Sequence, residues 1–142
     1  RISVEPSGDA FNAISLKADS GAPFNPMINA GAIATCGQVL PKDGMTRFDR
    51  ILAYLSGCAG RKLDVDTAVY RSESETGHRN RAIGWMLRNF GIIDEEPTDI
   101  LETYFRQCAI RVTCRDLALI GAAALMFCHN LSVLNATAGA YD

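Results

Sequence analysis

The 142-residue chain has no excess of charge: 14 basic residues face 16 acidic ones, for a formal net charge of -2. So even a balance leaves no electrostatic footprint for nucleic acid or an anionic membrane surface, and neither is expected as a partner. Long hydrophobic runs are missing too. The longest, over 117–128, falls short of the roughly 20 apolar residues that a bilayer span needs, and it reads as a buried helix. Histidine is scarce. His78 and His129 stand far apart without ligand-like companions, so no metal site is expected. The five cysteines, Cys36, Cys58, Cys108, Cys114 and Cys128, are odd in number and contain no C-x-x-C pair. They read as reduced thiols of a cytoplasmic protein, with Cys36, Cys58, Cys108 and Cys128 in apolar or helical contexts. Catalytic signatures that inspection can test are also absent. There is no G-x-S-x-G, no phosphate cradle of the G-x-x-x-x-G-K-[ST] or G-x-G-x-x-G type, and no Ser-x-x-Lys, since Ser15 and Lys17 are only two apart. The opening "RISVEPSGD" has neither a signal-peptide pattern nor an initiator methionine, and reads as the interior of something longer.

What is present is an ordinary globular composition, 48% apolar and 21% charged, in a length that fits one domain with a real core. Residues 1–24 carry no helical period and read as an extended arm; from 25 to 142 the chain reads as helical. In "PFNPMINAGAIAT", residues 23–35, Asn25-Pro26 reads as a cap followed by a first-turn proline, with the helix running to about Leu40. Thr46 is expected to cap a helix to about Cys58 with Gly60 beyond its end, and Asp64 to cap another to about Glu75. Ala82, Ile83, Met86, Leu87 and Phe90 mark an amphipathic helix stopped by Gly91. Ile100, Leu101, Tyr104, Phe105 and Cys108 mark the next. Thr113 and Asp116 resemble a capping box ahead of a final Ala- and Leu-rich helix, expected to be central.

Four positions are too polar for their surroundings. Asn29 sits in a first turn among Ala30, Gly31 and Ala32, either as a buried amide or exposed to a ligand. Glu73 and Asn80 flank a Thr-Gly break, where they form either a solvated turn or two walls of one cavity. Tyr104 interrupts an apolar face, and Tyr141 stands beside the last residue. Residues alone lead to a helical domain with a possible amide-binding cavity.

Four blocks in order, "EPSGDAFN", "NPMINAGAIAT", "SESETGHRNRAIG" and "YFRQCAIRVTC", together resemble the serine-dependent glutaminase family, over most of residues 4–125. The resemblance implies a serine β-lactamase-like α/β fold, of which this chain would be the mainly α, helical part, a single partial domain over 1–142 with the flanking antiparallel sheet largely missing. It implies hydrolysis of L-glutamine to L-glutamate and ammonia through a serine acyl-enzyme, without a cofactor, in a homo-oligomer (dimer or tetramer). Family roles in substrate binding fall on Asn29, Glu73, Asn80, Tyr104 and Tyr141, with Tyr141, in "TAGAYD", also catalytic. The family's Ser-x-x-Lys precedes the E-P-S-G block, so the chain taken alone is expected to be inactive. The connection from 128 to 141 is shorter than the family's. Two other readings are a β-lactam- or peptide-acting relative of the same fold and a non-catalytic helical interaction module.

Overall fold

A computed structural model describes residues 1–138, with side chains through Met126. Among them are six helices and no strand: α1 (Asn29–Gln38), α2 (Arg47–Ala59), α3 (Thr67–Thr76), α4 (His78–Asn89), α5 (Pro97–Cys108) and α6 (Cys114–Ala138). The mainly α expectation holds. Residues 1–28 form the extended arm. It is tied down by Ser3 and Glu5 backbone N–H groups donating to the Pro23 and Phe24 carbonyls, and by an isolated antiparallel bridge between Leu16 and Pro23.

Local chemistry sets several helix ends. Thr46 and Asp49 close a reciprocal capping box on α2, and Gly60 ends it in the left-handed region at φ +68°. Pro97 begins α5, where its missing N–H costs nothing. Thr113 and Asp116 cap α6 as the spacing predicts, the Asp116 carboxylate accepting from the Thr113 backbone N–H at 2.7 Å.

Three expectations need correction. α1 starts at Asn29, not Pro26, because the Asn25 carboxamide is used elsewhere: its oxygen accepts from Met27 N–H in a local turn and its nitrogen donates to the Glu5 carbonyl. The cap of α3 is Asp66, which accepts from Ala68 and Val69 N–H groups, while Asp64 pairs with Arg111. The final helix is not central. Leu117, Leu125 and Met126 are exposed, and α6 packs chiefly on α2. Of the described cysteines, all free, only Cys36 is buried; Cys58 is half-buried, and Cys108 and Cys114 are exposed.

The core lies where α1, α4 and α5 meet. Ile33, Ile83, Leu87, Ile100 and Phe105 are essentially inaccessible, and Ala30, Ala34 and Tyr104 join the same cluster. Arg47, only 2% exposed, braces one end of it. Its guanidinium pairs with Glu95 and Asp99 and donates from Nε to the Val39 carbonyl at 2.9 Å. Because that charge is buried, losing either carboxylate would leave it with a single counter-charge, and losing both would leave it uncompensated.

Candidate active site

Asn29 opens α1 and Asn80 is the third residue of α4. The Asn29 Nδ2 donates to the Asn80 Oδ1 at 2.9 Å, which joins two first turns across 51 residues of sequence. First turns expose backbone N–H groups without intrahelical acceptors and carry the positive end of the helix dipole. The Asn29 backbone N–H is held by the Phe11 carbonyl at 2.8 Å, so the arm closes on this point. Arg79, beside Asn80, donates to the Asn12 carbonyl and ties the arm to α4 as well.

The small residues after Asn29 have a geometric cause. A Cβ on Gly31 would lie 1.9 Å from the Asn25 carbonyl oxygen and 2.8 Å from the Pro26 Cα. The turn that leads into α1 therefore passes directly over Gly31, and Ala30 is fully buried beneath it.

Glu73 begins the last turn of α3, half-buried, with no hydrogen bond or ion pair to any described residue. Helix C-termini favour cations, and an unpaired carboxylate there adds a full negative charge. Its field reaches α5: burial pushes the Tyr104 phenol far above its ordinary value, with Cys108 and Glu73 adding to the shift. Tyr104 thus stays protonated, able to donate, through the physiological range. Next to it, burial pushes the Cys36 thiol up to about 12, with Cys108 adding, and its Sγ donates to Gln107 Oε1 at 3.1 Å. A thiol in that state is no nucleophile. No group of three or more metal-ligating side chains occurs among the described residues.

Of the sequence-derived positions, Asn29 and Asn80 are brought into contact, and Glu73 and Tyr104 share an electrostatic neighbourhood. Tyr141 lies outside the described residues. The Thr-Gly break is legible in the sequence, but the crowding around its glycine is not. α3 and α4 are separated by Gly77 alone, and a Cβ there would sit 2.5 Å from both the Glu73 carbonyl oxygen and the Phe105 Cζ. The signal was the lone glycine between two polar runs, which composition presents as an ordinary turn.

Residues 1–135 match the model of the family described as Glutaminase. Glutaminase 2 of Bradyrhizobium diazoefficiens is 54% identical over 121 residues, covering 85% of this chain and 19% of that protein. A glutaminase of Nostoc sp. is 46% identical, covering 86% of this chain and 36% of its own length. Among solved structures, the probable glutaminase of Bacillus subtilis superposes with a TM-score of 0.78 at 39% identity, over 85% of this chain and 39% of that one. Mglu in its L-glutamate binding form gives 0.71 at 39% identity, over 82% and 27%. The chain spans about a fifth to two fifths of the length of these relatives. With four motif blocks in order and this agreement in sequence and backbone, the chain belongs to the glutaminase family.

Proposed function

We propose that this chain is the substrate-holding helical part of an enzyme that hydrolyses L-glutamine to L-glutamate and ammonia. The observation that carries the reading is the half-buried, unpaired Glu73 at a helix C-terminus, together with the Asn29–Asn80 pair at two helix N-termini. Free glutamine is a zwitterion. Its ammonium matches Glu73 through a charge-assisted hydrogen bond, and its carboxylate matches neutral amide donors backed by positive helix ends. Tyr104 supplies a protonated phenol from α5. Tyr141 takes the family's active-site tyrosine position by resemblance. The acyl-enzyme step belongs to a Ser-x-x-Lys serine, and these 142 residues contain no such motif. The named relatives support the reaction, and the free described cysteines support a cytoplasmic home. The homo-oligomer, a dimer or tetramer, rests on the resemblance. A β-lactam carries no α-ammonium for Glu73, which disfavours the β-lactam-acting alternative.

Kinetics of the full-length protein test the reading. A hydrogen bond to a charged group is worth about 1.5–3 kcal/mol, so Glu73→Gln is expected to raise KM for L-glutamine by roughly tenfold to a hundredfold. Glutaramate, which is glutamine without its α-ammonium, is expected to lose a similar factor on the unaltered enzyme and almost none on Glu73→Gln. Equal losses for both substrates in the variant would show that Glu73 does not hold the ammonium. Absence of ammonia release from the unaltered full-length protein would overturn the function.

A further inference from the structure

Glu73 and Asn80 sit on two different helices, yet the proposed site needs them at one fixed spacing. A single residue, Gly77, joins α3 to α4, with φ -72° and ψ 32°. One-residue joints between helices are hinges unless something spans them. Here Arg81 does. Its Nη2 donates to the Ser74 carbonyl, at the end of α3 beside Glu73. From the first turn and a half of α4, the same guanidinium lies over the Phe105 ring, 5.1 Å from its centroid. That ring is 1% exposed and abuts the place where a Gly77 Cβ would be. Phe105 also follows Tyr104 directly on α5, with the two ring centroids 6.0 Å apart. One planar cation therefore touches all three elements that carry Glu73, Asn80 and Tyr104.

We propose that Arg81 is the positioning residue of this site: by clasping the Ser74 carbonyl and the Phe105 ring across the Gly77 joint, it fixes Glu73 relative to Asn80. The inference rests on the substrate-holding reading above. Arg81 itself is not assigned a contact with glutamine. Its planar fork can stack and donate at once, whereas an ammonium offers a compact charge without the stacking plane. Gly77 is the other half of the device, since any side chain there would drive the ring or the Glu73 turn away.

The consequence is specific. Loosening the joint weakens the grip on the two ends of the amino acid, felt equally by ground and transition states, so KM moves and kcat does not. In the full-length protein, Arg81→Gln is expected to raise KM for L-glutamine by roughly tenfold with kcat within about twofold. Arg81→Lys, which keeps the charge and can donate but lacks the stacking plane, is expected to fall between Arg81→Gln and the unaltered protein. Amide hydrogen exchange over residues 70–83 should quicken in Arg81→Gln, while exchange in the body of α1 stays unchanged. An unchanged KM with a normal exchange pattern would overturn the clasp. So would a uniform loss of thermal stability and kcat together, which marks a merely structural residue. If the unaltered protein releases no ammonia, the functional reading fails on its own, and the exchange difference over 70–83 still decides whether Arg81 holds the joint.

Discussion

At Gly60 the backbone stands at φ +68° with open space where a Cβ would go, so conformation alone penalises a side chain. At Gly31, in the helix α1, conformation is permissive and space is absent, because the Asn25 carbonyl would be 1.9 Å from the added carbon. The two glycines predict different outcomes for the same substitution. Gly60→Ala is expected to cost about 1–2 kcal/mol, the usual penalty for a left-handed alanine, and to leave KM for glutamine unchanged. Gly31→Ala is expected to cost about 1–3 kcal/mol through overpacking and to raise KM, because the displaced turn carries the start of α1 and with it Asn29. Thermal melting and steady-state kinetics on both variants check this; a Gly31→Ala enzyme with unaltered KM would detach Asn29 from the site. Sequence reasoning reached Asn29 and Asn80 separately, as polar residues in small or broken surroundings. Only the family resemblance puts them in one site, since a contact across 51 residues leaves no periodic trace.

Among the elements, the ends of α2 were the most legible, because both signals are local: a Thr and an Asp three apart, then a glycine beyond the last turn. The capping box makes a direct prediction. Thr46→Ala removes the hydroxyl that accepts from Asp49 N–H at 3.1 Å, and is expected to cost about 1 kcal/mol. Thr46→Ser should recover most of it, and a denaturant titration of the three proteins measures both. The start of α1 was misread for a reason of the same kind. Asn25-Pro26 carries every mark of a helix cap, but the Asn25 side chain serves the turn and the arm, its nitrogen donating to the Glu5 carbonyl 20 residues away. Ahead of α3 the sequence reading takes Asp64 as the cap, and the structure uses Asp66, two residues on. Asp64 is instead engaged by Arg111, which pairs with it from beyond α5. Local capping chemistry is written in adjacent residues, and the choice between equivalent local candidates is made by distant ones.

For the molecule as a whole, the place of α6 shows what apolar composition cannot decide. Its Ala- and Leu-rich run reads as a buried helix, yet Leu117, Leu125 and Met126 face outward and α2 is its main support. A polar contact fastens it as well. Asp116, 3% exposed, caps the helix through Thr113 and receives Nε and Nη2 of Arg61, just beyond the end of α2. The Arg61 guanidinium, with the Thr113 N–H adding, holds the Asp116 carboxyl well below the usual carboxylate range. A carboxyl whose value is lower folded than unfolded stabilises the fold fully above its unfolded value, about 3.9. That contribution fades as pH falls towards the folded value. Asp116→Asn removes the charge and so the pH-dependent share of the interaction. The gap in urea midpoint between the unaltered protein and Asp116→Asn is therefore expected to be largest near neutral pH and to shrink steadily below about pH 4. Titrating other carboxylates affects both proteins alike, so the difference isolates Asp116. A gap that stays constant from neutral pH to pH 2.5 would mean that α6 is held by packing on α2 and not by the Arg61–Asp116 pair.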